Sequence, residues 1–133
     1  MYLIDTNVWL EMILDQRRAP EARTFFQKVE GSDLVITEFS LYSIGIILCR
    51  LKKAEAFADF LSDTIEDSGI KRILLDLSDL RQTLSVKEKF GLDFDDAFQY
   101  VAAEKFHLTL VSFDSDFDRT ELGRKTPGQL LTV

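Results

Sequence analysis

Apolar residues fall along this chain in short continuous runs, separated by longer stretches with a helical period. Residues 2–4 form such a run and stop at Asp5, the pattern of a strand covered on both faces. Similar runs at 34–36, 72–75 and 108–112 predict three further strands. Between them, apolar positions recur three and four residues apart. Thr6 is placed to cap a helix carrying Val8, Trp9, Met12 and Ile13, which residues 16–19 break. Pro20 suits the first turn of a second helix running to about Glu30, with Gly31 to end it. Thr37 caps a helix over 38–53, and 54–67 continues helically after a bend. Gly69 precedes the third strand. Ser78 caps a helix to about Phe90, closed by Gly91. Asp93 opens a helix over 94–106, and Thr126-Pro127 starts a last helical turn or two. Short apolar strands alternating with helices require crossover connections, hence a parallel sheet. The predicted fold is a three-layer α/β/α sandwich with a small, mostly parallel sheet. No repeat, low-complexity tract or linker divides it, so residues 1–133 are expected to form one domain.

In such sheets ligands bind beyond the carboxyl ends of the strands, and the acids fall there. Asp5 follows strand one directly, Glu38 lies two residues past strand two, and Asp114 two past strand four. Asp93, Asp95 and Asp96 begin a helix, which in this architecture starts on the same rim. Gathering like charges in a cleft is costly unless something neutralises them. A hard divalent cation does so, and carboxylate and water ligands suit Mg²⁺ and Mn²⁺. The constellation therefore reads as metal-assisted hydrolysis of a phosphodiester. Each acid alone has an ordinary explanation. Asp93 and Asp96 resemble a helix cap and a first-turn acid that complements the dipole. Glu38 fits the dipole too, and Asp114-Ser115-Asp116 could be a simple turn. Asp5, closing a buried strand, has the fewest alternatives. The coincidence of all of them on one rim carries the inference.

Composition narrows the chemistry further. Sixteen Lys and Arg against 23 Asp and Glu give a net charge of −7, which argues against holding nucleic acid by bulk charge. The basic residues near the rim are local: Arg17-Arg18, Arg119, Arg124 and Lys125 could touch the phosphates of a nucleic acid, whereas Lys52-Lys53 and Lys71-Arg72 read as plain surface. A single cysteine, Cys49, excludes an internal disulfide framework and a cysteine-based zinc site. Cys49 stands among apolar neighbours and is expected to be buried. The only histidine, His107, fits a helix C-terminus and receives no catalytic role. No apolar run approaches the ~20 residues of a membrane span. The opening Met1-Tyr2-Leu3-Ile4-Asp5 has no basic region of a secretion signal, so a cytoplasmic location is expected. The helix over 38–53 is apolar nearly all round. Such a helix is either buried within the monomer or a contact surface.

Leu3-Ile4-Asp5-Thr6-Asn7-Val8-Trp9, then Thr37-Glu38, then Asp93-Phe94-Asp95-Asp96-Ala97, then Val111-Ser112-Phe113-Asp114-Ser115-Asp116-Phe117 together resemble the PIN-domain family. That family includes the VapC-type toxins of toxin–antitoxin pairs. The resemblance runs from residue 1 to about 131. It implies a Mg²⁺- or Mn²⁺-dependent ribonuclease with four site acids: Asp5, Glu38, Asp96 and Asp114, the last preferred over Asp116. Asp5 and Asp96 would bind the cation directly, and Asp114 the same or a second one. Glu38 would contact water on the cation or assist proton transfer. Thr6, Asn7 and Ser112 match supporting polar positions. The helical phase of residues 94–106 does not choose between Asp95 and Asp96; the match of Asp96-Ala97 does. On that basis Asp96 is expected to matter and Asp95 not, with Asp93 as the cap. The resemblance also implies a homodimer and an antitoxin protein as partners. Two rival readings remain: a non-catalytic PIN-like module that binds RNA or protein, and a phosphatase-type enzyme. The phosphatase pattern wants an Asp-x-Asp pair after strand one, and Asn7 stands at its second position.

Overall fold

Four short strands, β1 (Tyr2–Ile4), β2 (Leu34–Thr37), β3 (Lys71–Ile73) and β4 (Thr109–Val111), make the sheet in a computed structural model that describes residues 1–131. Thr132 and Val133, the end of the predicted domain, lie outside the described residues. The strand order is β3-β2-β1-β4 and every pairing is parallel, as the alternation of runs and helices predicts. Side chains alternate across the pleat. Ile4, Leu34, Ile36 and Val111 enter one apolar cluster, while Leu3, Val35 and Leu110 enter the other.

The first cluster is covered by α1 (Thr6–Ile13), α2 (Ala19–Lys28), α3 (Glu38–Arg50), α4 (Ala54–Asp59) and a π-helical segment (Phe60–Glu66). Trp9, Phe25, Ile44, Leu48 and Phe60 are its largest helical contributions. The second is covered by α5 (Leu77–Phe90) and α6 (Phe94–Lys105), with Val86, Tyr100, Val101 and Phe117. A last short helix, α7 (Pro127–Leu130), is capped by Thr126. Helices on both faces of one parallel sheet give the three-layer α/β/α sandwich.

Several local expectations are corrected. Asp5, not Thr6, caps α1: its carboxylate accepts from the Thr6 amide. Gly31 does not end α2, which stops before an extended Val29; Gly31 opens a 3₁₀ turn instead. There a Cβ would sit 1.8 Å from the Ser68 carbonyl oxygen, so only glycine fits. The helix after β2 ends at Arg50 rather than residue 53, because Lys52 adopts a left-handed conformation, φ 60°. β3 begins one residue early, and both Lys71 and Arg72 are exposed. It is an edge strand, so its face pattern carries less signal than the central strands. Asp76, not Ser78, caps α5 through a reciprocal box with Asp79. Cys49 is exposed rather than buried. It shares a shallow apolar groove with Tyr42, Gly45, Ile46 and Phe57. The helix α3 is thus buried on one side (Leu41, Ile44, Leu48) and apolar but exposed on the other (Tyr42, Ile46).

Candidate active site

The carboxyl ends of β1 and β4 and the first turn of α6 border a cleft of about 390 Å³. Asp5 stands at its floor, 5% exposed. Its Oδ1 accepts from the Thr6 amide at 2.8 Å and from Gln99 Nε2 at 3.3 Å. Its Oδ2 accepts from Ser112 Oγ at 2.8 Å and Asn7 Nδ2 at 3.3 Å. Four donors from α1, α6 and the end of β4 therefore fix one carboxylate. A further layer fixes the donors. Gln99 also donates to Ser40 and its Oε1 accepts from Thr37; Thr6 Oγ1 donates to Ser40. Asn7 Oδ1 accepts from the Phe113 amide, and Ser112 Oγ from the Asp114 amide.

Asp96 projects from the first turn of α6 and is 9% exposed. Asp114 follows β4 and caps the 3₁₀ turn Ser115–Arg119 by accepting from the Asp116 amide. The carboxylates of Asp96, Asp114 and Asp116 all lie within 4.8 Å of one another. Asp93, Asp95 and Asp96 form a second group within the same limit. This crowding has an electrostatic signature. Burial, then Asp114 and Asp95, push the Asp96 carboxyl up to about 8. Burial also raises Asp5, to about 6, against the opposing hydrogen bonds of Ser112 and Thr6. Carboxyl groups this reluctant to ionise mark a candidate functional site.

Asp5, Asp96 and Asp114 are thus brought together. Glu38 is not: its carboxylate lies 3.8 Å from Arg72 on β3, and it does not line the cleft. From α3 the cleft is lined instead by Phe39, Ser43 and Ile47, one residue per turn. Arg72, read from the sequence as plain surface, is this ion-pair partner. Asp93 and Asp95 differ from expectation as well. Asp93 has N-cap backbone angles, but its side chain makes no cap hydrogen bond. Both acids line the cleft beside Asp96. Gln99 was missed altogether. The available signal was a polar residue three after Asp96, within the otherwise apolar buried stretch 97–103.

The donor set is all oxygen, which fits a hard cation such as Mg²⁺, Mn²⁺ or Ca²⁺ and not a soft one. Burial is the larger cause of both raised carboxyl values, and the neighbouring carboxylates add to it. Among the described residues, no Lys or Arg lines the cleft.

Known proteins of similar structure span nearly the whole chain. A chain of a toxin–antitoxin complex from Klebsiella pneumoniae superposes with TM-score 0.74 at 18% identity, covering 96% of this chain and 98% of that one. FitAcB from Neisseria gonorrhoeae gives TM-score 0.77 at 19% identity, with the same coverage. VapC20 of Mycobacterium tuberculosis, a sarcin–ricin-loop-cleaving toxin, gives 0.74 at 15% identity, covering 89% and 93%. At these identities the likeness shows the fold alone. No curated protein matches the sequence. The PIN domain model, however, matches residues 2–122, which include every acid of the cleft. This chain belongs to the PIN-domain family.

Proposed function

We propose that the chain acts as a single PIN domain that cleaves RNA internally with Mg²⁺ or Mn²⁺. The observation that carries this reading is the cleft itself. Asp5, Asp96 and Asp114 share it, and two of the three are held reluctant to ionise. Asp96 and Asp114 are the residues that would hold the cation, with Asp5 as the third and Asp116 within reach of both. The bound cation would neutralise the cluster and polarise a phosphoryl oxygen of the substrate. The chain supplies the rest. Asp5 is pre-organised by four donors, so no reorganisation is needed when charge arrives. The Asp96 carboxyl would bind the cation in its ionised form. Thr6, Asn7 and Ser43 offer neutral polar groups along the cleft. Glu38, paired with Arg72, is left as a structural residue in this proposal.

The toxin–antitoxin and RNA-cleaving relatives support a toxin role and an antitoxin partner. The exposed apolar side of α3, at Tyr42 and Ile46, is where we place contact with a second copy. No helix among the described residues is long and apolar enough to cross a membrane. The working site of the protein is proposed to be the cytoplasm.

The test is cleavage of a labelled RNA while Mg²⁺ or Mn²⁺ is titrated. Activity should appear with the cation and vanish with a chelator, and the products should carry 5′-phosphate and 3′-hydroxyl ends. Binding without cleavage at any cation concentration favours the binding-module alternative.

A second expectation concerns Ser112, whose hydroxyl gives Asp5 one of its two shortest hydrogen bonds. Ser112→Ala should weaken cation affinity by about 10-fold or more, the usual cost of losing a group that orients a ligand. Isothermal titration with Mn²⁺ measures it. Unchanged affinity would show that Asp5 does not contribute to the cation site.

A further inference from the structure

The cleft has two unlike walls. Acids from β1, β4 and α6 make one; Phe39, Ser43 and Ile47 of α3, with Leu10 of α1, make the other. A nucleic acid strand entering here meets no lining Lys or Arg, on a chain of net charge −7. Within the cleft itself, no basic side chain offers a phosphate contact, the usual source of affinity. The remaining affinity must come from contacts that do not depend on charge, and base stacking on an aromatic face is the strongest of these.

The aromatic surface is present. Phe39 lines the cleft and meets Phe98 edge-on, ring centroids 4.8 Å apart. Phe94 lies 6.3 Å from Phe39 and remains 41% exposed. It stands between Asp93 and Asp95, both of which line the cleft. Phe98, buried beneath, holds Phe39 in place, and Phe94 carries the same surface out to the rim beside the acids.

We propose that Phe39 and Phe94 form a stacking surface for an unpaired base next to the scissile phosphate. This rests on the nuclease reading above. A base within a duplex is already stacked on its neighbours and cannot reach the surface. An unpaired nucleotide can lay its base against the apolar wall while its phosphate faces the acids.

The test compares the parent protein with Phe94→Leu and Phe39→Leu, and with Phe106→Leu as a control. Phe106 is about as exposed as Phe94 but follows the far end of α6. On an unstructured RNA oligonucleotide the two cleft variants should raise KM by about 10-fold, in the range of a lost base–aromatic stack. Their kcat should stay near the parent value, and the control should match the parent. KM within twofold of the parent for Phe94→Leu, an exposed position whose change spares the fold, overturns the proposal. A second readout needs no turnover. An oligonucleotide with 2-aminopurine beside the cleavage position is titrated with protein in Ca²⁺. Quenching by the parent, lost in Phe94→Leu, supports the surface; quenching absent or equal in both overturns it. If the parent cleaves no RNA with any cation, the nuclease reading fails, and the titration still decides the stacking surface.

Discussion

Asp96→Asn should abolish RNA cleavage, by about 10³-fold or more, and leave the protein folded. The size follows from the charge that the acidic wall must handle. A cation supplies several kcal/mol of transition-state stabilisation, and each ~1.4 kcal/mol lost is tenfold in rate. Asp96 is the one acid common to both carboxylate groups of the cleft, so its removal disturbs every arrangement of ligands the cleft can offer. The fold should tolerate the change, because an amide replaces a carboxyl that already resists ionisation. Asp95→Asn is the informative comparison. Asp95 is exposed and shares only one of the two groups, so a loss of less than about tenfold is expected, the scale of weakened field rather than a lost ligand. Single-turnover cleavage of a labelled RNA, with thermal melts of each variant, decides between them. A silent Asp95→Asn beside an active Asp96→Asn would place the cation one residue away from the position assigned here.

Without divalent cation, the protein should lose stability as pH rises from about 5 to 8. In the folded state burial raises Asp5 to about 6 and Asp96 to about 8, from an ordinary 3.8. Between these values the native protein holds protons that the unfolded chain has released. Stability therefore falls as pH climbs through the two folded-state values, and the favourable contribution is fully present only below the unfolded value. The melting temperature of the cation-free protein should drop by about 5 °C or more across this interval. Mg²⁺ should act in the opposite sense. It binds the folded form with its carboxylates ionised, so the stabilisation it gives grows with pH, reaching about 2.7 kcal/mol at a hundredfold excess over Kd. Asp96→Asn should flatten both trends. Melting temperatures that stay level from pH 5 to 8 without cation would show that the two carboxyls ionise freely in the native state.

The layered fold could be read from the chain because its central strands, β1, β2 and β4, are unbroken apolar runs between helical repeats. Their two-faced burial writes itself into composition. The edge was harder. β3 is exposed along Lys71 and Arg72, so its pattern reflects solvent and the strand falls at 71–73 rather than 72–75. The acids after β1 and β4 were legible for a similar reason: a strand end fixes where the next residue lies. Glu38 misled because helix phase, not distance from the strand, decides which wall a residue joins. Phe39, Ser43 and Ile47 take the cleft side of α3, and Glu38, one position earlier, turns to Arg72. Asp93 takes the cap position without a side-chain bond, and Asp95 joins Asp96 at the cleft, because at a helix start residues of every phase sit close to the rim. Gln99 was hidden because its partners, Asp5, Ser40 and Thr37, come from distant segments.

The same long reach of the Asp5 hydrogen bonds sets when the site can come into being. Its donors Gln99 and Ser112 follow it by 94 and 107 positions. Ser112 is made 107 positions after Asp5. A chain emerging from the ribosome thus carries the floor of the cleft long before anything can hold it in place. Asp96 and Asp114 arrive late as well, and β4 must dock on β1 before the acids share one cleft. The topology of the sheet thus withholds the cleft until Ser112 and Asp114 have been made.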